Sequence, residues 1–113
     1  MDPPLMPALE FQMEQFHDPD GAVHLTLSGE LDLAVVDRLE LRFAQLQASS
    51  ARVRLDLSRL CFIDSTGLRA ILLARQRAGR GGWELEVERN VAPAVGRVFA
   101  LARVEPFIWQ RQG

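Results

Sequence analysis

The chain has 113 residues, a length that fits one domain and lets folding bury somewhat more than about 60% of the unfolded surface. Apolar residues at 48% and charged residues at 25% match ordinary globular usage and speak against disordered, fibrous and membrane-embedded classes. The formal net charge is −2 and all thirteen basic residues are arginine, dispersed along the chain, so the strongly basic footprint of a nucleic-acid binder is missing.

No stretch approaches the roughly 18 consecutive apolar residues of a membrane helix, and the N-terminus lacks the basic and then apolar pattern of a signal peptide. The expectation is a cytoplasmic protein without direct membrane insertion. Cys61 is the only cysteine, which rules out an intrachain disulfide or a multi-cysteine metal site and predicts a small buried hydrophobe. His17 and His24 have no cysteine partners, and surface polar roles suit them better than metal ligation. No metal and no cofactor are expected.

Residues 1–8 hold three prolines and two methionines without periodicity and read as a disordered leader to a single domain over 9–113. From Leu9 the pattern alternates, with Leu9, Phe11 and Met13 on one side and Glu10, Gln12 and Glu14 on the other, as in a half-buried strand. His17-Asp18-Pro19-Asp20-Gly21 supplies hairpin turn residues. Val23, Leu25 and Leu27 then alternate with His24, Thr26 and Ser28 in an antiparallel second strand that ends at Gly29.

Asp32 reads as the cap of a helix over about 33–47, in which Val36, Leu39, Phe43 and Leu46 share a face. Val53, Leu55 and Leu57 alternate with Arg52, Arg54 and Asp56 in a third strand. The polar turn Asp64-Ser65-Thr66-Gly67 opens a second helix, with Leu68, Ile71, Leu72 and Arg75 on one face, stopped by Gly79, Gly81 and Gly82. Trp83, Leu85 and Val87 alternate with Glu84, Glu86 and Glu88 in a fourth strand. Asn90 and Pro93 open a last helix with a Val95, Val98, Phe99, Ala102 stripe, and Phe107 to Trp109 read as a closing edge strand.

This order predicts an α/β fold: a mixed four- to five-stranded sheet with an N-terminal hairpin and βαβ crossovers. The strands alternate instead of reading as continuous apolar runs, so the helices should lie mostly on one face. Arg54 is a candidate cross-strand partner of Glu84 or Glu86, in a pair contributing only about 0 to 1 kcal/mol.

Two segments go beyond a generic fold: Ser28-Gly29-Glu30-Leu31-Asp32-Leu33-Ala34, and Leu55-Asp56-Leu57-Ser58 running into Phe62-Ile63-Asp64-Ser65-Thr66-Gly67-Leu68. Together, with a helix between them, they resemble the STAS domain, and more narrowly the bacterial anti-sigma-factor antagonists. The resemblance spans roughly residues 9 to 109. It implies a non-enzymatic regulator whose unphosphorylated form binds an anti-sigma-factor serine kinase and releases a sigma factor. A phosphoserine phosphatase is a further candidate partner.

The family's phosphorylated serine falls on Ser65. Its Gly-Glu-Leu-Asp loop lies beside that serine, so the resemblance implies a partner-binding surface of Glu30, Asp32, Asp64, Ser65, Thr66, Gly67 and Arg69. Family members often carry a serine before the last helix and a glycine after it, where this chain has Asn90-Val91-Ala92-Pro93 and Arg103. A second reading from the same resemblance is a non-phosphorylated STAS subunit supporting the ATPase of a membrane lipid transporter.

Read without the resemblance, Asp64, Ser65 and Thr66 are favoured as plain helix capping, because these residue types satisfy the unpaired donors of a helix start. The resemblance reverses that preference. In either reading Gly67 allows a close approach of helix to sheet. Asp-Ser-Thr-Gly is superficially like an aspartic-protease turn, but the spacing carries an extra residue and no second copy exists to share a proton. Arg69, Arg75, Arg77 and Arg80 read most simply as a solvated helix face, with steering of an acidic partner as the alternative.

Overall fold

The computed structural model describes residues 10–109. The expected leader and the strand start at Leu9 lie outside these residues.

The hairpin forms as its alternation and turn chemistry dictate. Strand β1 (Gln12–His17) pairs antiparallel with β2 (Val23–Leu31), in register from Gln12 opposite Ser28 to His17 opposite Val23. The Asp18 carboxylate closes the turn by accepting from the Asp20 and Ala22 backbone N–H groups at 3.2 and 3.1 Å, and from His24 Nε2 at 2.6 Å. Phe16 stacks on the same imidazole with ring centroids 4.6 Å apart. Burial pushes the Asp18 carboxyl up, but the hydrogen bonds from its side-chain and backbone neighbours, the Asp20 contact first among them, hold it well below the usual range.

Strand β2 does not stop at Gly29 but runs on to Leu31, with Gly29 at φ +83. It pairs in parallel with β3 (Arg52–Ile63), which pairs in parallel with β4 (Glu84–Val87), giving the order β1-β2-β3-β4. Register places Arg52 opposite Glu84 and Arg54 opposite Glu86. Strand β3 carries two extra residues. Thr26 and Ser28 pair with Asp56 and Arg59, and Gly29 and Glu30 pair with Leu60 and Phe62. Each insertion breaks the alternation and bends the strand, as bulges do.

Helix α1 (Val36–Ala48) and helix α2 (Ser65–Gly79) fill the two parallel crossovers and pack against each other. Right-handed crossovers that advance one way across a sheet put their helices on one face. Burial agrees: Val23, Leu25, Leu27 and Leu31 of β2 are buried, while His24, Thr26, Ser28 and Glu30 are half-buried. Helix α1 buries the four residues its periodicity selects, Val36, Leu39, Phe43 and Leu46. Helix α3 (Pro93–Ala102) lies against β3 beyond the end of β4, where the Ala92 N–H donates to Leu57 O at 3.3 Å. Of its expected stripe, Val95 and Phe99 are buried, Val98 half-buried and Ala102 exposed.

Four further expectations are corrected. Helix α1 starts three residues later than Leu33, because the Asp32 carboxylate accepts from the Ala34 N–H and its carbonyl from Val35 and Val36, forming a separate turn. Phe107 to Trp109 are not a strand but part of a short helix, α4 (Glu105–Trp109), so the sheet of described residues has four strands. Val104 O accepts from Phe107 and Ile108, and only Ile108 of that segment is fully buried.

Cys61 is exposed, since the bulges turn it out of the core, and its thiol donates to Gly29 O at 3.1 Å. Arg75 is not on a solvated face. Its side chain is 6% exposed, and Nη1 donates to Leu85 O at the sheet edge. Burial pushes the guanidinium down and the Glu86 carboxylate opposes that shift.

Candidate functional site

The parallel pairing of β2 and β3 brings Leu31 opposite Ile63, so both strands end at one edge of the sheet. The two sequence segments therefore meet where a loop and a helix begin side by side. The Asp64 N–H donates to Leu31 O at 3.1 Å, continuing the ladder by one bond. Leu33 and Ala34 follow β2 as loop, and Ser65 is the first residue of α2.

Asp64 holds this junction together. Its Oδ1 accepts from the Gly67 N–H at 2.9 Å and the Thr66 hydroxyl at 2.6 Å, which is the N-cap arrangement its residue type predicts. Its Oδ2 reaches the other segment and accepts from the Leu33 N–H at 3.0 Å. Burial raises the Asp64 carboxyl, yet the bonds from Thr66, Gly67 and Leu33 outweigh it and leave the group below the ordinary carboxylate range. The carboxylate is thus ionised at neutral pH and already occupied by donors from both segments.

Gly67 forms the apolar half of the same joint. A Cβ placed there would lie 2.7 Å from Leu31 Cγ, 3.0 Å from Leu31 Cδ2 and 3.1 Å from Ile63 Cγ1. Leu31 is wholly buried and Ile63 nearly so. The expected close approach of helix to sheet is therefore real, and the residue it approaches belongs to the Gly-Glu-Leu-Asp segment.

The remaining candidates sit around this joint in different states. Ser65 is exposed at the helix start, and Arg69 is exposed one turn further along α2. Thr66 is half-buried with its hydroxyl spent on Asp64. Asp32 is half-buried and bonds locally to the Ala34 N–H, while Glu30 is half-buried beside Phe62. The structure thus brings Asp64, Thr66 and Gly67 into contact with the Leu31–Leu33 backbone. It does not tie Arg69 to the acidic residues: the described ion pairs involve His24, Asp18, Glu88, Arg52 and Asp20.

Two residues bordering the site were not among the sequence candidates: Leu33 at 71% exposure and Phe62 at 47%. Leu33 read as the first residue of a helix, and Phe62 as part of an apolar run entering the turn. The signal available was the length of that run, since Leu60, Cys61, Phe62 and Ile63 cannot all face inward on one strand without bulges. Large apolar side chains left in solvent beside polar groups are a common mark of a protein-binding surface.

A family model described as "Mlab, STAS domain" matches residues 14–108. The chain belongs to the STAS domain family. This STAS domain is 36% identical over 84 residues to a Bordetella bronchiseptica protein named "Putative anti-sigma factor antagonist BtrV", covering 74% of this chain and 72% of that one. A solved anti-sigma factor antagonist from Mycobacterium paratuberculosis shares the fold at a TM-score of 0.72 and 22% identity, over 90% of this chain and 87% of that one. The structure of the anti-sigma factor antagonist SpoIIAA in its unphosphorylated form matches at a TM-score of 0.67 and 26% identity, over 87% and 84%. The four-stranded mixed sheet of the STAS domain is therefore the one found here.

Proposed function

We propose that this chain is a cytoplasmic anti-sigma-factor antagonist whose unphosphorylated form binds an anti-sigma-factor serine kinase, and that phosphorylation of Ser65 ends the complex. The observation that carries the reading is the placement of Ser65. Its side chain is exposed at the start of α2, directly after the aspartate that locks both motif segments together. The names of BtrV and of the Mycobacterium and SpoIIAA proteins support the same class. Among the described residues no helix is long and apolar enough to cross a membrane.

The physical consequences of phosphate at this position are unequal. A helix N-terminus favours a nearby anion by about 0.3 to 1 kcal/mol, and Gly67 N–H and Leu33 N–H are already satisfied by Asp64, so the fold has little to lose. Burying a dianion in an interface without a matched partner costs several kcal/mol. Binding rather than folding is the quantity switched. Glu30, Asp32, Asp64, Thr66, Gly67 and Arg69 surround Ser65 in the partner surface, and a phosphoserine phosphatase resets it.

The test is to incubate the purified chain with the anti-sigma kinases of its genome and ATP, and to map phosphate by mass spectrometry. Phosphate on Ser65, lost in Ser65→Ala, is the expected result. Phosphate elsewhere, or none with every kinase, overturns the switch. Ser65→Asp is expected to weaken kinase binding far more than it lowers the melting temperature; equal losses would point to a fold defect. Recovery of a transporter ATPase, with no kinase bound, would move the assignment to the transporter subunit.

A further inference from the structure

Helix α2 carries no acidic side chain, and Arg69 is the one charged residue among its first ten. Arg69 and Ser65 are both exposed and stand four residues apart. On a helix that spacing places side chains one above the other, with about 5 to 6 Å between Cβ atoms. Helical side chains lean toward the N-terminus, which aims a long side chain at position 69 back over position 65.

Neither side chain makes a hydrogen bond or an ion pair among the described residues. Helix α1 packs against α2, yet its exposed acids Asp37 and Glu40 leave Arg69 unpaired as well. The surroundings of Ser65 are otherwise acidic. Asp64 precedes it with an ionised carboxylate already occupied by Gly67, Thr66 and Leu33. Glu30 and Asp32 belong to the segment locked beside it. A phosphate on Ser65 adds about −1.5 to −2 charges to this corner at pH 7, and like charges nearby disfavour it unless a cation answers them.

We propose that Arg69 is the built-in counter-ion of phosphorylated Ser65, closing a bidentate guanidinium–phosphate contact across one turn of α2. The inference rests on Ser65 being the modified residue. An acid four residues before a base is the more favourable order for such a pair, and a guanidinium matches two phosphate oxygens as an ammonium does not. The phosphate is then held against its own helix, and the Arg69 guanidinium is no longer open to a partner.

Phosphoserine is introduced at position 65 during translation, so the protein tested owes nothing to a kinase. Phosphorus-31 NMR follows the second phosphate ionisation, ordinarily near about pH 6. A cation favours the dianion, so Arg69→Gln should raise this pKa by about 0.2 to 0.4 unit, the equivalent of one such helical pair. Arg77→Gln removes the same charge about 12 Å further along the axis, beyond the screening length at 0.1 M salt, and should raise it by less than about 0.1 unit. Arg69→Lys should recover part of the shift, and about 1 M sodium chloride should shrink it. Without phosphate, Arg69→Gln should melt within about 2 °C of the parent chain. A pKa that Arg69→Gln leaves unchanged, or that Arg77→Gln raises as much, overturns the proposal. Failure of the switch itself shows separately, in the kinase mapping, as Ser65 left unmodified.

Discussion

Gly67→Ala isolates the joint between the two segments. The glycine lies in α2, where alanine is the better helix former by about 1 kcal/mol, so propensity alone predicts stabilisation. The structure predicts the opposite. The new methyl would sit 2.7 Å from Leu31 Cγ and 3.1 Å from Ile63 Cγ1, and Leu31 is fully buried, so something in the packed core must shift. Overpacking of this kind costs about 1 to 3 kcal/mol, and contact at a branch carbon places it near the upper limit. The net is a loss of about 2 kcal/mol, which lowers the melting temperature by roughly 8 °C or more for a chain of this size.

Urea and thermal unfolding followed by circular dichroism measure that loss. A double mutant separates clash from propensity: Leu31→Ala alone loses about 2 to 5 kcal/mol by leaving a cavity, but it also makes room for a methyl group on residue 67. Leu31→Ala with Gly67→Ala should therefore be clearly more stable than the sum of the single losses. Gly67→Ala as stable as the parent chain, or strict additivity in the double mutant, would refute the reasoning.

Asp64→Ala removes the α2 cap, a loss of about 1 kcal/mol, and frees the Leu33 N–H. Because folding depresses the Asp64 pKa, its contribution is full above the ordinary value of 3.8 and disappears as pH falls through the folded value. Urea midpoints of the variant should accordingly approach those of the parent in acid, with Asp18 adding acid sensitivity to both. Cys61 is exposed, so Ellman's reagent should modify one thiol per folded chain without denaturant, whereas a thiol that reacts only on unfolding would contradict its placement. Arg103 holds a left-handed φ of 57 after α3. Left-handed backbone costs a side chain about 1 to 2 kcal/mol and glycine forfeits about 0.4 to 1 through the freer unfolded chain, so Arg103→Gly should gain up to about 1 kcal/mol in urea unfolding.

Much of this fold was legible because its signals are local. The Asp18–Gly21 turn, the four buried residues of α1 and the Asp64 cap each follow from residue type at short range. The failures fall where a distant element decides. Asp32 has the right chemistry for an N-cap, yet Leu33 N–H is claimed by Asp64, and the helix begins at Val36. Bulges opposite β2 rotate Cys61 and Phe62 outward, against the burial their composition suggests. Arg75 falls on the apolar face of its helix but acquires a role through tertiary partners such as the Leu85 carbonyl, ten residues away in sequence. Sequence shows which residues are able to cap, pair or be buried, and tertiary partners choose among those abilities.

The Gly-Glu-Leu-Asp and Asp-Ser-Thr-Gly segments act as one unit for the same reason. Leu31 fills the space that a side chain at 67 would occupy, and the Asp64 carboxylate bridges Leu33 to Gly67. Displacing either segment breaks an apolar contact and a charge-assisted hydrogen bond together. The surface that presents Ser65, Leu33 and Phe62 is therefore preorganised before any partner arrives, and little ordering cost remains to be met on binding. On the proposed reading, a phosphate on Ser65 would meet a surface already fixed in this way, so its effect would fall on the interface.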